Sequence, residues 1–188
     1  MADSNITKRA LANALKELME EMPFEKINVA QICEKCDMNR KSFYYHFRDK
    51  YDLVNWIFDI EFISILTTNN ILDVDIETRF KTFDVLCDAF YKNRRFYRKA
   101  FKIKGQNSFS EHFRESIHPI ISKRIETYTG FSNNNDIVID FFSDACICAF
   151  ERWLSDKNCM PPDEFSNLLK NIITNSALTI TNEIRNDT

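Results

Sequence analysis

Residues 39–47 read NRKSFYYHF. This short run holds two cations, a small hydroxyl, an imidazole and the rings of Phe43, Tyr44, Tyr45 and Phe47. A core segment excludes Arg40, Lys41 and His46, because a buried charge without a partner is costly. A plain solvated face has no use for four rings. The mixture suits a surface that meets nucleic acid. Cationic forks and hydroxyls reach base edges and phosphate oxygens, while rings on the opposite side anchor the element to its own domain. Phe43 and Phe47, four apart, are the packing pair of a helix, and Arg40, Lys41, Ser42, Tyr44, Tyr45 and His46 are left to face outward.

Other chemistries find less support. His46 has no nucleophile partner beside it, and the chain offers no phosphate loop, so no enzyme is expected. Cys33-x-x-Cys36 has the spacing of half a metal site, but no second Cys/His pair stands at ligand spacing. On a helix these two behave as small hydrophobes, and Cys146-x-Cys148 reads the same way. No cofactor and no metal is expected.

The elements that must position residues 39–47 are helices. Two glycines and four prolines in 188 residues are few for a sheet protein, so the chain is expected to be all-α. Ser4, Asn5 and Thr7 offer caps for a first helix over 6–21, with Ala10, Leu11, Ala14, Leu15, Leu18 and Met19 on one face and Pro23 beyond it. Asn28 caps a short helix through VAQICEKC. Asp37-Met38-Asn39 breaks the chain, and Asn39 caps a third helix over 40–46. Asp49 opens a long fourth helix, KYDLVNWIFDIEFISIL. Helices are further expected over 76–92, 94–103, 109–128 (bent at Pro119), 136–156 and 163–184, with a break at GFSNNN. Helix, three-residue turn, helix is the helix-turn-helix plan, whose second helix enters the major groove by its N-terminal end. Arg40 and Lys41 stand at that end.

The stretch INVAQICEKCDMNRKSFYYHFRDKYDLV closely resembles the signature of the TetR/AcrR family of transcriptional regulators. Ile27, Val29 and Ile32 match its entry, Ser42 to Phe47 its recognition helix, and Lys50 and Leu53 the start of its next helix. The resemblance implies that Arg40, Lys41 and Tyr44 face bases. It implies that Ser42, Tyr45, His46 and Lys50 bind phosphates, with the amides at Asn28 and Val29 as a further anchor. Two departures stand out. Asp37 occupies the family's usual turn glycine, and Asp tolerates the left-handed conformation better than most residues. Lys41 replaces a small residue, which changes the sequence read. Further on, YKNRRFYRKAFKIKGQNSF is similar to the DhaS-type subset of the same family.

Charge agrees with a local rather than a global nucleic-acid surface. The net charge is −3, yet residues 1–50 hold nine Lys/Arg against eight Asp/Glu. The expected organisation is a three-helix head over 1–50 and a body of about six helices over 51–188. The resemblance places an effector pocket in the body's middle helices, and Phe83, Cys87, Phe90, Phe101, Phe109, Phe113, His118 and Tyr128 are its candidate lining. The segment IVIDFFSDACICAFERWL is apolar nearly all round. With Ile172, Ile173 and Ile180 it would expose a patch in a monomer, so a homodimer closed by a four-helix bundle is expected. The implied function is a ligand-responsive repressor on a palindromic double-stranded DNA operator. The alternative is a regulatory interaction protein or co-activator whose body docks a partner protein. With no apolar leader and no membrane span, the chain is expected in the cytoplasm.

Overall fold

The computed structural model describes residues 2–68, 76–105, 107–129 and 136–186. Among them are nine α-helices, a single 3₁₀ turn and no strand. In order these are α1 (Ala2–Glu21), the 3₁₀ turn (Phe24–Lys26), α2 (Val29–Lys35), α3 (Arg40–His46), α4 (Lys50–Thr68), α5 (Ile76–Lys92), α6 (Arg94–Ala100), α7 (Phe109–Thr129), α8 (Asp136–Ser155) and α9 (Pro162–Asn186). The break expected at GFSNNN lies outside the described residues.

Packing divides the chain into two compact units, Met1–Thr68 with Asn93–Ser110, and Asn69–Lys92 with Glu111–Thr188. This grouping places α6 with the first four helices.

In the first unit α1 packs on α2, α4 and α6, and α2 carries α3. Leu11, Leu15, Phe43 and Leu53 are fully buried at its centre. Truncating a buried ring such as Phe43 to Ala costs about 3–5 kcal/mol. Capping sets the short helices. Asn28 Oδ1 accepts from the Gln31 N–H at 3.0 Å while Gln31 Oε1 accepts from the Asn28 N–H at 2.9 Å, a reciprocal box. Asp37 ends the α2 turn at φ 55°, in the left-handed region foreseen for it.

Two boundaries differ from expectation by three residues or more. α1 begins at Ala2 because neither Pro nor Gly stands before Ile6 to prevent it. α6 stops at Ala100, three residues early. Lys102 and Ile103 bond back three residues, to Lys99 and Ala100, and Gly105 (φ 101°) and Asn107 (φ 63°) follow at positive φ, outside the helical region.

In the second unit α5 packs along α9. Phe90, Phe113 and Phe150 form its buried centre, with ring centroids 5.0–5.5 Å apart. The Trp153 indole stacks on Phe165 at 4.0 Å, and its N–H donates to the Met160 carbonyl at 2.8 Å, closing the turn before α9. α7 continues through Pro119, which is exposed.

Candidate nucleic-acid interface

α3 is seven residues, about two turns, long and too short to persist alone. Its stability comes from one cap and two rings. Asn39 Oδ1 accepts from the Ser42 N–H at 2.8 Å and from the Ser42 hydroxyl at 3.2 Å. Phe43 and Phe47 are buried, with centroids 5.8 Å apart, and Phe47 meets Trp56 of α4 edge-on at 5.6 Å. This fixes the roll of the helix and turns the other side to solvent. Arg40 and Lys41 are exposed, Tyr44 is 58% exposed and Tyr45 82%. The structure thus brings Arg40, Lys41, Tyr44 and Tyr45 onto one outward surface.

The remaining candidates are placed differently. Ser42 is half-buried, with its hydroxyl turned to Asn39. His46 stacks edge-on against Tyr45 at 4.9 Å. Partial burial, then the nearby Lys8 charge, lowers its pKa below the ordinary histidine value. The Asn28 N–H is taken by Gln31, which leaves the Val29 N–H as the open donor of that pair. The Lys50 ammonium donates to the carbonyls of Phe24 (2.8 Å), Glu25 (3.3 Å) and Ile27 (2.7 Å), and lies 4.3 Å from the Phe24 ring centroid. Burial lowers its pKa. Its hydrogen bonds are therefore spent on the 3₁₀ turn that leads into α2.

Lys8 of α1 was not anticipated from the sequence. Its ammonium lies 5.8 Å from the Phe47 ring and 5.7 Å from the Trp56 ring. Only the tertiary packing of α1 on α4 brings it there, so no local pattern marks it. Asp49 caps α4 as expected, its carboxylate accepting from the Tyr51 and Asp52 N–H groups at 2.8 Å.

The candidate effector residues fall in both units. Phe101 and Phe109 are buried in the first unit, 4.9 Å apart. Cys87, Phe90 and Phe113 are buried in the second, and Phe83 meets Phe150 at 6.2 Å. Burial, then Asp84, pushes the Cys87 thiol far above its ordinary range. His118 Nε2 lies 3.4 Å from the Asp140 carboxylate of α8, which also holds Arg114 at 2.5 Å. The Tyr128 side chain lies outside the described residues. None of these candidates lines the groove between α8 and α9. That groove encloses about 590 Å³ and is walled by Ile137, Phe141, Phe142, Leu169, Ile172 and Ile173 among others. Ile137 and Phe141 are 84% and 67% exposed.

Of the thiols expected to be structural, Cys146 is buried, whereas Cys148 is exposed because it stands two residues on, on the outer side of α8. Cys33 is buried, and the Cys36 thiol donates to the Ile32 carbonyl at 3.3 Å. Desolvation raises the pKa of both. Among the described residues no three His, Cys, Asp or Glu side chains gather so as to hold a metal ion. No described helix is long and apolar enough to cross a membrane.

Residues 11–57 match the family described as bacterial regulatory proteins, tetR family. Residues 77–175, more than half of the chain, match its transcriptional regulator C-terminal region. The chain belongs to the TetR family. The N-terminal match to these bacterial regulatory proteins takes in α2 and α3 whole.

One relative is the HTH-type dhaKLM operon transcriptional activator DhaS of Lactococcus lactis, 29% identical over 103 residues. The match takes in 55% of this chain and 53% of the relative, so the chain spans about half the length of the curated relative it matches. Solved TetR-family structures share the fold over nearly the whole chain. A dihydroxyacetone kinase operon activator DhaS superposes with a TM-score of 0.64 at 21% identity, covering 94% of this chain and 97% of that one. A regulator from Streptococcus agalactiae reaches 0.68 at 20% identity, covering 92% and 94%. A regulator from Syntrophomonas wolfei reaches 0.69 at 14%, covering 93% and 96%.

Proposed function

We propose that this TetR-family chain acts in the cytoplasm as a homodimeric, ligand-responsive repressor of a palindromic operator. The observation that carries the DNA-reading part is the outward face of α3: two cations at its N-terminal end and two exposed phenols, held by a buried ring pair. In this reading Arg40, Lys41 and Tyr44 face base edges. Ser42, Tyr45, His46 and the Val29 N–H contact phosphates. Lys50 contributes through the turn it caps. The apolar groove of α8 and α9 supports the dimer. A second copy laying the same two helices against it would bury Ile137, Phe141 and Ile172 in a four-helix bundle, and a two-fold dimer matches a two-half-site operator. The effector would act by population shift, favouring one spacing of the two recognition helices over another.

Selection of bound duplexes from a randomised pool tests this reading. The expected product is an inverted repeat whose half-sites are centred about one helical turn, or a multiple of it, apart. Enrichment of a lone half-site, or of nothing, would oppose it.

A second reading, in which the chain activates transcription and its body docks a partner protein, is favoured by the similarity to DhaS, which is described as an activator. Placing the selected repeat before a reporter separates the two. Repression reads as higher output when the chain is removed, and activation as lower output.

A further inference from the structure

The segment from the end of α1 to the start of α2 carries six carbonyls that accept from remote lysines, that of Phe24 also taking the local Ile27 N–H at 3.1 Å. Lys99 of α6 donates to the carbonyls of Met19, Glu20 and Met22, the latter two at 3.3 Å. Lys50 of α4 holds those of Phe24, Glu25 and Ile27. Helix ends leave such carbonyls unsatisfied, and a cation placed there also complements the helix dipole. The two lysines therefore fasten one continuous lead-in, residues 19–27, whose next residue caps α2. α2 in turn carries α3. Further contacts hold α6 on the same unit. Arg95 lies 3.6 Å from Glu20 of α1. The buried Tyr97 hydroxyl donates to the Glu61 carboxylate of α4, which also accepts from Lys16 of α1 at 2.6 Å.

We infer that Lys99 is a positioning residue for DNA recognition: through it α6 sets the α1–α2 lead-in, and with it the placement of α2 and α3. The inference rests on the reading of α3 as the recognition helix. It assigns to α6 a route to the reading head through the end of α1, separate from its bond to α4 at Glu61. A displacement of α6 that withdraws the Lys99 ammonium leaves three carbonyls unpaired and frees the lead-in without touching any residue of α3.

The test uses the full-length protein and the duplex recovered by selection, with anisotropy read against salt concentration. Lys99→Met is expected to lower operator affinity by about 5- to 50-fold while affinity for random duplex changes less than about twofold. The slope of log affinity against log salt is expected to stay at its wild-type value, since a residue that touches no phosphate releases no counterion. Tyr97→Phe, which removes the bond to Glu61 but leaves Lys99 in place, is expected to cost less than Lys99→Met. Lys99→Gln, which retains donors for the same carbonyls, should fall between wild type and Lys99→Met, and it replaces Lys99→Met if that variant does not fold. Wild-type operator affinity in the folded variant would overturn the inference. So would a slope reduced by about one, which would make Lys99 a direct phosphate contact, and so would a larger loss in Tyr97→Phe. Failure of the wild-type protein to prefer the selected duplex would instead remove the underlying reading of α3.

Discussion

α3 and α8 both expose large side chains, and the contrast between them separates two kinds of partner. On α3 the exposed rings are phenols, Tyr44 and Tyr45, standing beside Arg40 and Lys41. On α8 the exposed side chains are hydrocarbon, Ile137 and Phe141, beside a groove walled by Val138, Phe142, Leu169 and Ile173. Both surfaces leave apolar area in water, at a cost of about 25 cal/mol per Å² relative to burial. The first offers donors to a polyanion. The second offers almost none and gains only by meeting a surface like itself. Exposure alone therefore does not identify a partner, whereas the polar atoms among the exposed rings do.

The largest effect is expected where the apolar surface is broken. Phe141→Glu would place two like charges in the bundle proposed for α8 and α9, each unpaired and buried, at a cost on the order of 3–5 kcal/mol per site. Sedimentation should show the variant as a monomer at concentrations where the wild-type protein is dimeric. An unchanged dimer would mean that this groove is not the contact between copies.

Breaking the polar surface should cost less and act differently. Arg40→Ala is expected to lose about 1–3 kcal/mol of operator binding and to relax preference at one base pair, as removal of a base-reading fork does. Lys41→Ala should behave in the same way. A loss equal across all duplexes, with the salt slope reduced by about one, would turn either residue into a phosphate contact.

Asn39→Ala tests the device that positions that surface. Removing the side chain that accepts from Ser42 is expected to cost about 1 kcal/mol of stability, read as a lower denaturant midpoint with an unchanged slope. An unaltered midpoint would show that Phe43 and Phe47 alone hold α3.

The pH dependence is smaller and has two signs. His46 has a lowered pKa in the folded chain, through partial burial and then Lys8. As pH falls below the unfolded value near 6.5, the unfolded chain takes the proton first, and stability from this group is lost. A phosphate beside the ring would favour the charged form, so operator affinity should rise as pH falls from about 7.5 to about 6, and His46→Gln should flatten that profile. A profile already flat in the wild type would remove phosphate contact from His46.

How much of this was legible in the sequence follows from the range of each signal. Asn28, Asn39 and Asp49 announce α2, α3 and α4 because a cap acts within three residues of itself. Phe43 and Phe47 reveal the buried side of α3 because a helix repeats at four. The left-handed Asp37 was readable from residue type. Lys50 and Lys99 were not readable as caps of the lead-in, since their carbonyls lie 23–26 and 77–80 residues away. The body shows the same limit. The apolar character of α8 is plain in IVIDFF, yet the choice between filling a core and lining an effector pocket depends on which helices meet. Phe90 and Phe113 close on Phe150, while Phe101 and Phe109 close on each other in the other unit.

The central claim is that α3 reads sequence, and competitor-resistant binding tests it most directly. Fluorescence anisotropy on the selected duplex, with excess random DNA, would compare the wild-type chain with Arg40→Ala and Tyr44→Ala. Tight wild-type binding that survives competitor and is lost in both variants is the predicted result. Binding that disappears with competitor, or that ignores both substitutions, would contradict it.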